Sequence, residues 1–126
     1  MSSSSLKTTM LITKALADRQ RIRILMLLRD RELCVCQIIA VLALAPSTVS
    51  KHLSILGAAD LVEHRREGRW AYYRLPGGSA DAASRSALQW IEASLGRDKA
   101  IEKDDRKLAK VLACDPEVLC RQQRKC

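Results

Sequence analysis

A chain of 126 residues is long enough for one domain with a modest core. Its 22 Lys and Arg against 14 Asp and Glu give a formal net charge of +8, which suits an anionic partner: nucleic acid, a membrane surface or an acidic protein. Phe is absent and aromatics make up 3%, which argues against an RNA module that stacks bases on a sheet.

In chain order, residues 6–17 place Leu6, Met10, Leu11, Ala15 and Leu16 at helical spacing. Asp18 can cap a second helix over residues 19–29. There Ile22, Leu25, Met26 and Leu28 make an apolar stripe while Arg19, Arg21 and Arg23 face elsewhere. Residues 32–36 alternate polar and apolar and predict a short strand. Residues 37–44 are almost wholly apolar and predict a buried helix. Pro46 suits the first turn of a further helix, which runs to about residue 58 with Val49, Leu53 and Leu56 inward; Gly57 would relax its last turn.

The pattern changes over residues 61–75. A polar arm leads to Glu67-Gly68, then to the alternating aromatic arm Trp70-Ala71-Tyr72-Tyr73, a β-hairpin signal. Residues 80–95 predict another helix, with Ala83, Ala87, Leu88, Ile91 and Leu95 on one side and Gly96 closing it. Residues 97–126 read as a charged tail. It has a short helical pattern over 107–114, a break at Asp115-Pro116 and a further turn from Glu117 to Cys120. Two short adjacent helices followed by a basic hairpin predict a mainly α fold with a β-hairpin wing, a winged helix-turn-helix. It would fill residues 1–96, with residues 97–126 as the tail.

No apolar run approaches the roughly 20 residues needed to cross a bilayer. The start, Met-Ser-Ser-Ser-Ser, lacks the charged and apolar blocks of a signal peptide, so a cytoplasmic location is expected, away from membranes. The five Cys are an odd number and cannot form a complete internal disulfide framework. In a reducing compartment such thiols bind metals, sense oxidants or pack as small apolar residues.

Residues 15–75 resemble the ArsR/SmtB family of small homodimeric winged-helix repressors. The likeness lies in Ala-Leu-Ala-Asp at 15–18, Arg-Ile-Arg-Ile-Leu at 21–25 and Glu-Leu-Cys-Val-Cys at 32–36. It continues in Ser-Thr-Val-Ser-Lys-His-Leu at 47–53 and Arg-Arg-Glu-Gly-Arg-Trp-Ala-Tyr-Tyr-Arg-Leu at 65–75. Glu-Leu-Cys-Val-Cys further resembles the arsenical-resistance branch, whose repressors release double-stranded operator DNA when trivalent arsenic or antimony binds. The resemblance implies a homodimer built on residues 6–17 and 80–95, an inducer rather than a catalytic cofactor, and no enzymatic activity. The chain departs from patterns found in the family at several places. Ile39 stands where the best-known version has a third Cys, and Gln37 where an Asp is common. Ala45 and Pro46 replace a Ser cap and a Gln, and the last domain helix lacks the Asp/His pattern of the zinc sensors.

Cys34 and Cys36 are the expected thiolate ligands. Residues two apart diverge by about 200° on a helix but share a face on a strand, so one ion is gripped only where this stretch is extended or the helix start is distorted. Trivalent arsenic takes three sulfurs, and with Ile39 in the way the third is expected from the tail. Cys114 and Cys120 are the alternatives, favoured over the terminal Cys126. For DNA, the start of the second helix of the motif offers Ser47, Thr48, Ser50, Lys51 and His52 to the major groove. Arg65, Arg66 and Arg69 flank the hairpin turn. Trp70, Tyr72 and Tyr73 are expected to pack, and His52 and His64 to be polar surface groups rather than ligands. Two other readings stay open: the same DNA-binding protein sensing cadmium, lead, zinc or an oxidant, and a small thiol oxidoreductase. The latter lacks the Cys-x-x-Cys spacing and βαβ setting usual for such enzymes.

Overall fold

The computed structural model describes residues 5–78 and 80–124. Helix α1 (Leu6–Leu16) begins at Ser5, whose hydroxyl accepts the Thr8 amide at 3.1 Å. Helix α2 (Arg19–Leu27) begins, as the sequence suggests, on Asp18, whose carboxylate accepts the Gln20 and Arg21 amides at 2.8 and 3.3 Å. Burial pushes that carboxyl up, but the two amide bonds outweigh it and leave it below the usual range. The expected stripe on α2 proves too narrow. Ile24, Leu25, Met26 and Leu27 are all buried because α1, α4, α5 and α6 pack around this helix.

Strand β1 is only Leu33–Cys34, and helix α3 (Val35–Leu42) follows without a loop. The expected strand over 32–36 is cut short by Gln37. Its side-chain carbonyl accepts the Cys34 amide at 2.9 Å and satisfies an N–H that the new helix would otherwise leave free. Helix α4 (Pro46–Ala58) follows a turn in which Ala43 takes φ +56, and the two helices bend by 113°, the angle of a helix-turn-helix. Ala45 supplies no side-chain cap, as expected, and Pro46 opens α4. Gly57 lies in the last turn of α4, which ends at Ala58 as expected. The left-handed residue there is Asp60 (φ +57), with the Leu61 amide donating back to the Leu56 carbonyl at 3.0 Å.

Strands β2 (Glu63–Glu67) and β3 (Trp70–Arg74) form the expected hairpin around Gly68, whose φ of +62 is a conformation glycine adopts without strain. The sheet order is β1-β3-β2, all antiparallel, with Cys34 opposite Tyr72 and Glu67 opposite Trp70. Helix α5 (Ala82–Leu95) closes the winged unit, with Leu88 and Ile91 buried. The rest is more helical than the expected charged tail with a short pattern over 107–114 and a turn from Glu117. Helices α6 (Lys99–Leu112) and α7 (Pro116–Arg124) lie against α3, and α6 also against α2. Ile101, Leu108, Val111 and Leu119 join the core. Asp104 is buried in a two-bond pair with Arg23, at 2.8 and 2.9 Å. No single helix among the described residues is long and apolar enough to cross a membrane.

Candidate metal centre and nucleic-acid interface

Cys34 ends β1 and caps α3, while Cys36 lies one residue inside the helix. The pair therefore sits where the backbone changes from extended to helical. Cys34 has the extended backbone of a helix cap (φ −69, ψ 145), and no continuous strand carries both thiols. α7 brings Cys120 to the same place. The Sγ atoms of Cys34, Cys36 and Cys120 lie within 4.8 Å of one another, and Cys36 and Cys120 are joined as a disulfide with Cα atoms 5.5 Å apart. Cys34 is a buried free thiol.

Once Cys36 and Cys120 are reduced, three soft donors face one point. Three thiolate–metal bonds of about 2.3 Å to one ion need sulfurs no more than about 4 Å apart, so a single soft ion fits once the sulfurs draw together. Cys114 lies elsewhere: it is exposed, with its thiol against the Lys110 carbonyl at 3.6 Å. Of the two tail cysteines left open by the sequence, the fold brings only Cys120 to the pair; Cys126 lies outside the described residues. Gln123, which the sequence did not single out, donates from Nε2 to the Cys36 carbonyl at 2.8 Å.

A cleft of about 330 Å³ opens beside the sulfurs. Val35, Ile39, Pro46 and Trp70 line it, with Arg69 at its edge. The cleft thus touches the thiol cluster, the first residue of α4 and the wing.

On α4, Ser47, Thr48, Ser50 and Lys51 are exposed while Val49, Leu53 and Leu56 are buried, which matches the expected division of faces. His52 is half-buried, and its Nδ1 lies 3.3 Å from Arg21 Nη1, so it accepts from the guanidinium. Arg21 also donates to the Ala15 and Lys14 carbonyls at 2.7 and 3.0 Å. It braces the recognition helix from α2, a role its spacing in the sequence did not reveal.

The wing arginines are unequal. Arg65 donates to Glu32 at 2.7 Å and to Glu67 at 3.0 Å, and it lies over the Tyr72 ring. Donating to Glu32 and Glu67 raises its pKa, and Arg65 in turn holds the Glu32 carboxyl below the usual range. Arg69, at the hairpin tip, donates to Glu117 of α7 at 2.9 Å. Among the described residues Arg66 and Lys51 have no polar partner. Trp70, Tyr72 and Tyr73 are half-buried against the core, as expected, and His64 stacks on Tyr73.

A helix-turn-helix carrying a basic hairpin defines the molecule as a winged helix-turn-helix protein. Residues 18–64 match the family described as "Bacterial regulatory protein, arsR family". The arsenic resistance transcriptional regulator ArsR1 of Pseudomonas putida is 37% identical over 89 residues, covering 70% of this chain and 63% of that protein. A Staphylococcus aureus homologue of the cadmium resistance regulatory protein CadC is 35% identical over 65 residues, 51% of this chain and 54% of its own.

Among solved structures, a fragment of a possible transcriptional regulatory protein of Mycobacterium bovis superposes with a TM-score of 0.62. It is 30% identical and covers 73% of this chain and 95% of that one. A solution structure described as the homodimeric winged helix-turn-helix DNA-binding domain of a possible ArsR-family regulator of M. bovis has the same TM-score, 0.62. It is 28% identical and covers 79% and 94% of the two chains. This chain belongs to the ArsR family of transcriptional regulators. It spans little more than half to under two thirds of the two curated relatives' lengths.

Proposed function

We propose that this protein is a cytoplasmic homodimeric repressor that binds double-stranded operator DNA and is released by trivalent arsenic or antimony, with no enzymatic activity. The observation that carries the reading is the convergence of Cys34, Cys36 and Cys120 at the junction leading into the helix-turn-helix. The name of the P. putida relative supports arsenic as the input. In the reduced protein the three thiolates hold the metalloid, and Cys114 takes no part. Ser47, Thr48, Ser50, Lys51 and His52 face the major groove. Arg65, Arg66 and Arg69 follow the backbone, with Arg66 the readiest of the three because it has no competing carboxylate among the described residues.

The dimer uses α1 and α5. Leu6 is 80% exposed and Trp90 64%, with Met10 and Leu11 also open, a set of apolar side chains that pairing would cover. A hundredfold loss of DNA affinity needs about 2.7 kcal/mol of coupling between the sites. The test is a titration of arsenite into the complex of reduced protein with a duplex selected for binding, with cadmium, zinc and peroxide as controls. Arsenite should release the DNA, and Cys34→Ser or Cys36→Ser should abolish release while leaving DNA binding intact. A Cys34→Ser protein that still releases at the wild-type concentration refutes the site.

A second reading, sensing of cadmium or of an oxidant by the same sulfurs, is favoured by the Cys36–Cys120 disulfide and by the CadC homologue. The control arms separate it from the first.

A further inference from the structure

On α7, Glu117, Cys120 and Gln123 are spaced three apart and so share one edge of the helix. That edge makes three attachments. Cys120 bonds to Cys36, Gln123 donates to the Cys36 carbonyl, and Glu117 accepts from Arg69 at the wing tip. The first two fix α7 to the sulfur cluster, and the third reaches the element expected to touch DNA.

The apolar anchorage of the helix is slight. The helix has nine residues, too few to be stable alone, and Leu119 is its one buried side chain among the described residues. Its position therefore depends on the state of Cys120.

We propose that α7 is a latch between the sulfur cluster and the wing. When Cys120 is bonded at the cluster, Glu117 sits on Arg69 and withholds it from a DNA phosphate. When Cys120 is a free thiol, α7 loosens and Arg69 is released. The proposal rests on the wing being a DNA-binding surface, and it concerns how the cluster is read out, whichever ligand occupies it. Both side chains of the pair are more than half exposed, so the attraction itself is weak. A phosphate nevertheless competes for the same guanidinium, and an unpaired Glu117 beside it repels the phosphate, so the expected contribution is a few-fold.

The experiment compares DNA affinity and its salt dependence for the full chain in three states: reduced, arsenite-loaded, and oxidised with diamide. In the last, Cys36 and Cys120 give two electrons and two protons to the diazene and form the disulfide. The variants are Glu117→Gln and Cys120→Ser.

In the wild type, both the arsenite and diamide states should bind DNA more weakly than the reduced state. Their log K against log salt slope should be flatter by about one unit, as for the loss of one phosphate contact. Glu117→Gln should leave the reduced state unchanged, regain roughly three- to fivefold of the affinity lost in the other two states, and restore the slope. Cys120→Ser should bind alike with and without diamide.

An oxidised wild type that binds DNA as tightly and as steeply as the reduced protein overturns the latch. So does a Glu117→Gln protein with the wild-type losses. If diamide releases DNA with these signatures and arsenite does not bind, the latch stands and the arsenic reading fails.

Discussion

Helices α6 and α7 follow one another and pack on the same helix, α3, yet they are held in different ways. α6 is fixed by burial: Ile101, Leu108 and Val111 are in the core, and the buried Asp104 is paired with Arg23. α7 has one buried apolar side chain among the described residues, and it is tied by the Cys120 sulfur and by polar contacts that include those of Gln123 and Glu117. The first kind of attachment is permanent, because nothing in ordinary chemistry removes it short of unfolding. The second can be made and unmade by whatever binds or oxidises Cys120. The contrast assigns structure to α6 and signal to α7, and it can be broken from either side.

The largest expected effect is on α6. Asp104→Ala leaves the Arg23 guanidinium largely buried without its partner, which should cost about 3 kcal/mol in denaturant unfolding. This is the low end for a broken buried pair, since Arg23 keeps some contact with water. A loss under about 1 kcal/mol would move α6 into the class of α7.

Next comes α7. Truncation after Leu112, or Cys120→Ser, should preserve the fold and reduced DNA binding. It should weaken the arsenite response by roughly one to two powers of ten, or about 1.4–2.7 kcal/mol. X-ray absorption should count three sulfurs on the ion in the full chain and two in these variants. An unchanged count shows that Cys120 is a bystander.

Smaller still is the cap of α2: Asp18→Ala should cost about 1 kcal/mol of stability, with no change in arsenite response. Cys114→Ser should alter neither stability nor response, since its thiol faces solvent. A local effect concerns the wing. The Glu32 carboxyl is lowered by Arg65, so the pair is intact above the ordinary value of 4.5 and is lost only as pH falls through the lowered one. Proton titration by NMR should place Glu32 below 4.5 in the wild type and closer to it in Arg65→Ala.

Much of this was legible in the sequence, for reasons that also explain the rest. α1, α2, α4, α5 and the hairpin announce themselves through apolar periodicity and turn residues, which are local signals. The Cys34–Cys36 pair was legible through the resemblance carried by Glu-Leu-Cys-Val-Cys, because the spacing alone fits buried packing as well as it fits a ligand pair. α6 was only half legible because its inward stripe passes through Asp104, which reads as polar and finds its partner Arg23 81 positions away. Choosing Cys120 over Cys114 required knowing that α7 folds back on α3. Nothing in the spacing of Arg69 and Glu117, 48 positions apart, marks them as a pair. Strand β1 was read too long because the helix-starting role of Gln37 is invisible until its side chain is seen on the Cys34 amide.

The bond between Cys36 and Cys120 spans 84 positions of chain. Closing a loop of that length removes enough freedom from the unfolded chain to favour the native state by about 4.5 kcal/mol at 25 °C, if the constraint acts entropically. An ion shared by the two sulfurs closes the same loop. Under the proposed function, the stimulus that releases the DNA would therefore also lengthen the protein's life, because proteases act on the opened chain and the stapled chain opens less often. Cells that have met the stimulus would carry a slowly cleared pool of inactive protein. Reducing those sulfurs returns it to service without new synthesis.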